Sequence, residues 1–161
     1  KGIKELYEAF ANLYRDNDKL KLLIVGPVEE SQISDLSLIS NMQQHPGILL
    51  VGTQSNVPLY LSVMDVFCLP AWWEGFGNVS VQAAAMGLPV IATDVTGSKD
   101  AVSKDYNGLL VMPKSVSALQ NAMYLLYQNE EKRQELGRNG VVWATNFDSK
   151  MIWNEMDVLY K

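Results

Sequence analysis

The stretch Trp73-Glu74-Gly75-Phe76-Gly77-Asn78-Val79-Ser80-Val81-Gln82-Ala83-Ala84-Ala85-Met86-Gly87-Leu88-Pro89-Val90-Ile91-Ala92-Thr93-Asp94 decides how this chain folds. It begins where a strand ends and turns through two glycines. A helix is expected over Asn78 to Met86, stopped by Gly87 and Pro89, and a strand over Pro89 to Thr93. A short apolar run bounded by turn residues reads as a buried parallel strand. A helix between two such strands is a βαβ crossover, which is right-handed in nearly all proteins. Gly75 and Gly77 allow the backbone to approach a ligand closely or to take a positive φ. The first amides of the helix, around Gly77 to Ser80, lack partners inside it and attract an anion. Three consecutive alanines let the helix lie close to the sheet. A packed crossover with an incidental glutamate fits these residues too, since glycine-turn signals are weak alone.

The same pattern extends outward. Apolar runs at Leu20 to Val25, Ile48 to Val51, Val66 to Leu69 and Gly108 to Met112 read as further strands. Ile3, Leu6, Tyr7, Phe10, Leu13 and Tyr14 follow helical spacing, and that helix ends near Asp16-Asn17-Asp18. Helices are also expected over Ser31 to Gln44, Pro58 to Met64, Ser98 to Ser103, Ser117 to Gln128 and Glu130 to Thr145. Asp148 can cap a last one carrying Ile152, Met156 and Leu159. The alternation predicts an α/β, Rossmann-like fold with an open, doubly wound parallel sheet and flanking helices. In such sheets ligands sit beyond the carboxyl ends of the strands. The polar, glycine-rich clusters fall there: Gly26-Pro27, Gly52 to Asn56, Trp72 to Asn78, and Asp94 to Gly97.

Composition narrows the function. The 161 residues carry a net charge of -5, with 48% hydrophobic and 19% charged residues, as an ordinary globular domain does. An acidic chain is a poor partner for nucleic acid, which needs a basic face. One cysteine, Cys68, makes no internal disulfide and is expected as a buried strand thiol. One histidine, His45, is expected in a solvent-facing turn. Of Trp72 and Trp73, one is expected in the core and the other lining a cleft. Glu130 to Arg133 reads as a solvated helix face. Asp94 and Asp100 form no metal-ligand cluster with His or Cys, so no metal site is expected. No apolar run approaches the roughly 20 residues that span a bilayer.

The Glu74 stretch resembles the nucleotide-binding core of retaining GT-B glycosyltransferases of family 4. Their signature is a glutamate, seven residues and a second glutamate, around a pattern kept here in Glu74-Gly75-Phe76-Gly77, Ala83, Ala85, Gly87, Pro89 to Thr93 and Asp94. Lys1-Gly2, Leu23 to Gly26, Asp65 to Phe67, Thr96-Gly97 with Asp100 to Val102, and Asn107 to Val111 extend the likeness over nearly the whole chain. Bacterial surface-polysaccharide enzymes are the most similar. The resemblance implies that Glu74 holds hydroxyls of the donor sugar and that amides of Gly75, Phe76, Gly77, Asn78 and Val79 face the sugar and diphosphate. Lys1 would neutralise the departing diphosphate, and the loop Thr53, Gln54, Ser55, Asn56 would border the base. The implied donor is a nucleoside diphosphate sugar, with no other cofactor, and the acceptor a glycan or lipid-linked saccharide.

Gln82 stands at the second glutamate position. An amide can still bond ribose hydroxyls but brings no charge, and charged hydrogen bonds are about twice as strong. Weaker nucleotide binding is the expectation. The resemblance also implies that residues 1–161 are one carboxy-terminal domain, with the preceding strand, its basic residue and an amino-terminal acceptor domain elsewhere in the same protein. The parent is expected in the cytoplasm, either free or peripheral at the inner face of the membrane. A non-catalytic nucleotide- or sugar-binding module is the alternative.

Overall fold

The computed structural model describes residues 1–27 and 36–148. The expected helix over Ser31 to Gln44 is seen from Leu36 onward, and the helix after Asp148 lies outside the described residues. The elements run α1 (Ile3–Asp16), β1 (Leu22–Ile24), α2 (Leu36–Gln44), β2 (Ile48–Leu50), α3 (Val57–Leu61), β3 (Phe67–Leu69), α4 (Asn78–Ala85), β4 (Val90–Thr93), α5 (Ser98–Ala101), β5 (Gly108–Val111), α6 (Val116–Gln128) and α7 (Glu130–Ala144), then a 3-10 turn over Thr145–Phe147. Every strand pair is parallel, as the βαβ reading requires.

The single sheet expected from the sequence is instead two. β1 pairs with β2, and β3, β4 and β5 form a second sheet in that order. The register is Ile24 opposite Leu50 in the first and Ile91 opposite both Cys68 and Leu109 in the second. Among the described residues only β4 has a strand on each side; β1, β2, β3 and β5 pair on one side only. Yet Leu22 of β1 and Cys68 of β3 pack on one cluster with Leu6 and Ala9 of α1, Leu119 and Leu126 of α6, and Leu136 of α7. One helical layer therefore covers both sheets.

The layer opposite holds α4 and α5, and α7 reaches both layers, with Leu136 in the first cluster and Gly137 and Gly140 against the end of α4. Ala83 and Ala84 are fully buried against Val90, Ala92 and Val102, while Ala85 faces solvent. Two of the three alanines thus make the close approach, and the third follows from the helical period. Gly140 of α7 lies against the Ala84 backbone, so these two helices pack at short range. Ser115 caps α6 by accepting from the Ala118 amide, and Asn129 caps α7 through Lys132.

Two side chains differ from expectation. His45 is half-buried, with its ring against Tyr7, Phe10 and Tyr14 at centroid distances of 6.3, 5.5 and 4.7 Å. Its Nδ1 accepts from the Gly47 amide at 3.1 Å, so the imidazole closes the turn before β2. Neither Trp72 nor Trp73 is in the core: they are 48% and 78% exposed. Cys68 lies in β3 as expected but is only partly buried, and desolvation pushes its pKa up to about 12. Among the described residues no helix is long and apolar enough to cross a membrane.

Candidate active site

The candidate residues gather where β3 and β4 end. Pro70 and Ala71 are buried after β3, and Ala71 O accepts from the Thr93 hydroxyl at the end of β4. That tie holds the β3 exit to its neighbour before the chain swings out through Trp72 and Trp73. Glu74 follows, half-buried, and its Oε1 accepts from the Gly75 amide at 3.1 Å. Gly75 is exposed and has open space in front of its Cα. The Gly75 amide, expected to face the ligand, is thus engaged by the neighbouring carboxylate.

Gly77 is the residue just before α4 and has φ 76°, a left-handed conformation that glycine adopts without penalty. No side chain caps this helix start. The amides of Asn78 and Val79 therefore have no intrahelical acceptor and stand free for an anion. Ser80 instead donates its amide to Gly77 O at 2.8 Å, and its buried hydroxyl has no hydrogen-bond partner among the described residues. Gln82, exposed one turn on, reaches solvent from the same helix. Phe76 places its ring away from this edge, against Phe147 at 5.3 Å. Only its amide is left to face a ligand.

Gly97, in the Asp94 to Gly97 cluster at the β4 exit, supports the Glu74 turn from beneath. It has φ 85°, and a Cβ there would collide with the carbonyl oxygens of Gly75 and Glu74. The β4 exit loop thus packs directly under the glutamate turn. The only local cue in the sequence was the glycine after Thr96. Asp94 and Lys99 close the same loop with a 3.0 Å ion pair on the surface.

Lys1 is exposed, and Gly2 beside it is buried against the Pro70 carbonyl. This seats the start of α1 on the β3 exit and brings Lys1 to the end of the molecule that holds Glu74. The Thr53, Gln54, Ser55, Asn56 loop leaves β2 at the carboxyl edge of the other sheet. Gln54 is pinned there by its Nε2 donating to Val51 O at 2.6 Å, while Thr53, Ser55 and Asn56 are exposed. Among the described residues no hydrogen bond joins this loop to the Glu74 turn. No group of three His, Cys, Asp or Glu side chains comes together there.

The pattern of the family described as "Glycosyl transferases group 1" matches residues 1–143. The chain belongs to that family. It is 34% identical over 161 residues to the capsular polysaccharide biosynthesis glycosyltransferase CapM of Staphylococcus aureus, covering 99% of this chain and 42% of that protein. Among solved structures it is similar to sucrose-phosphate synthase from Thermosynechococcus elongatus, with a TM-score of 0.82, 30% identity, and coverage of 99% of this chain and 41% of the other. HepE from Anabaena, solved with UDP, superimposes with a TM-score of 0.85 at 21% identity, over 96% of this chain and 44% of the other. The fold is therefore the Rossmann-like half of a GT-B glycosyltransferase. The chain spans less than half the length of these relatives.

Proposed function

We propose that this chain is the donor-binding half of a retaining glycosyltransferase, which moves a sugar from a nucleoside diphosphate to a glycan or lipid-linked acceptor in polysaccharide assembly. The observation that carries it is the Glu74 turn: a carboxylate held beside the uncapped start of α4, with Gly97 packed beneath. Free amides of Asn78 and Val79 suit a diphosphate, and a carboxylate suits sugar hydroxyls. Lys1, on the β3 exit, adds positive charge where a diphosphate leaves. The UDP bound in HepE is consistent with such a ligand on this fold. No metal or further cofactor enters this reading.

The chain spans 42% of CapM, which supports a further strand and a second domain elsewhere in the parent protein, facing the carboxyl edge. Transfer needs that opposite wall, because orientation of donor and acceptor supplies much of the rate. In this reading the parent works in the cytoplasm, free or held at the inner face of the membrane.

A non-catalytic nucleotide- or sugar-binding module is favoured by one observation alone, the neutral Gln82 on α4. The two readings separate in a transfer assay on the full-length parent with UDP- and GDP-sugars. Turnover is expected, and Glu74→Gln should lower it about a hundredfold or more, the scale of one lost transition-state contact. Its melting temperature should stay within about 2 °C of the parent's. Undiminished turnover in Glu74→Gln would remove the glutamate from the mechanism.

A further inference from the structure

Phe76 sends its ring backward from the Glu74 turn, and the ring enters a closed circuit of contacts. It meets Phe147 edge-on, with centroids 5.3 Å apart and planes at 62°. Phe147 meets Trp143 in the same way, at 5.7 Å and 69°. Both pairs have the geometry that aromatic quadrupoles favour. Trp143 Nε1 then donates to Ala101 O at 2.9 Å, at the end of α5. The Ala101 methyl in turn lies 3.5 Å from where a Gly77 Cβ would stand. The circuit thus leaves the turn at Phe76 and returns to it at Gly77, the residue before α4.

The far side of the circuit is held independently of the site. A Cβ at Gly137 would collide with Gly87 O, and one at Gly140 would crowd the Ala84 backbone, so α7 is seated on the end of α4 remote from Gly77. The Thr145 hydroxyl donates to Val142 O at 2.7 Å, and the Asp148 amide donates to Thr145 O at 3.3 Å. Those bonds close the 3-10 turn that carries Phe147. The near side is pliable by comparison. Phe76 stands between Gly75 and Gly77, where the backbone has the most conformational freedom a chain can have. Gly97 limits the turn from beneath, at the Glu74 and Gly75 carbonyls, and the Phe76 ring fixes it from behind.

We propose that Phe147 is a positioning residue for the donor site. Acting through the Phe76 ring and not by contact with a ligand, it sets the direction of the Asn78 and Val79 amides toward a diphosphate oxyanion. This rests on the donor reading above. Without the ring contact Phe76 takes other positions, and the arrangement ready for the anion becomes only a fraction of the population. The apparent affinity falls by that fraction.

Calorimetric titration with UDP and GDP, and nitrogen-15 spectra of the free 161-residue chain, test this in variants of Phe147 and Leu136. Phe147→Ala should bind nucleotide about tenfold more weakly, the upper end of what one aromatic pair contributes, and should move the Gly77, Asn78 and Val79 amide signals. Phe147→Leu keeps the apolar bulk, should weaken binding about threefold, and decides the matter if Phe147→Ala fails to fold. Phe147→Tyr keeps the ring and should bind as the unaltered chain does. Leu136→Val, buried in the same helix but outside the circuit, should lower the melting temperature and leave both affinity and those signals unchanged. Unaltered affinity in Phe147→Leu, an equal loss in Leu136→Val, or no recovery in Phe147→Tyr would overturn the proposal. If the unaltered chain binds neither nucleotide, the donor reading falls. Moved amide signals in Phe147→Leu would then keep the positioning role, and unmoved ones would overturn it too.

Discussion

The two sheets of this molecule are built from the same kind of sequence and end in different states. β4 has a strand on each side, and all four of its residues are buried. β1 is as apolar as β4, yet Leu22, Leu23 and Ile24 are only partly buried, and in β2 Leu49 is 47% exposed. Burial here comes from neighbours, not from composition. A parallel strand reaches full burial only when both edges are paired and both faces covered. The Glu74 turn hangs on the three-stranded sheet, and the Thr53 to Asn56 loop on the two-stranded one. The Glu74 turn leaves β3, an edge strand as partly buried as β1, and draws its anchor from fully buried β4 through the Thr93 hydroxyl on Ala71 O and through Gly97 beneath it.

A large effect should come from the loops that leave these sheets. Gly97→Ala introduces both a positive-φ strain and a collision with the Glu74 and Gly75 carbonyls. It should cost about 2 to 5 kcal/mol of stability, the sum of backbone strain and overpacking. Gly52→Ala, at φ 67° with nothing within 4 Å of the added carbon, carries the strain alone and should cost about 1 to 2 kcal/mol. Urea denaturation of both variants measures the difference. Equal losses would mean that the β4 exit is no more constrained than the β2 exit.

Core truncation sharpens the same contrast. Ile91→Ala, fully buried in β4, should lose about 3 to 5 kcal/mol, within the range for large-to-small core changes. Leu23→Ala, partly exposed in β1, should lose about 1 kcal/mol, in proportion to the area it keeps from water. A Leu23 loss as large as that of Ile91 would break the comparison.

The smallest effect is expected at Gln82. Gln82→Glu should preserve or tighten uridine binding by about 1 kcal/mol at most, the gap between charged and neutral hydrogen bonds. Titration calorimetry with uridine and 2′-deoxyuridine isolates the ribose from the diphosphate. If both variants bind the two nucleosides equally, Gln82 does not touch the ribose.

Much of this was legible in the sequence, for local reasons. Gly87 and Pro89 stop α4 and start β4 by backbone chemistry, and Leu119, Ala122 and Leu126 mark the buried face of α6 by spacing. Other features depend on residues far apart in the chain. Nothing near Leu23 reveals that one edge of β1 lacks a partner. His45 looked solvent-facing beside a proline and a glycine, but α1 brings three aromatic rings to it. Trp72 and Trp73 looked like a core residue and a cleft residue, but β3 ends too early to bury either. Gly97 was read as a turn residue, and its second role appears only where the Glu74 turn crosses it.

The central claim is that a nucleoside diphosphate binds on the Glu74 turn and the start of α4. A nitrogen-15 NMR titration of the 161-residue chain with UDP and GDP tests it most directly. Saturable amide shifts are expected at Gly75, Gly77, Asn78 and Val79, with weaker ones in Thr53 to Asn56. No saturable shift with either nucleotide would contradict the claim, as would shifts confined to the groove between α1 and α6 around Asn17, Gln120 and Tyr124.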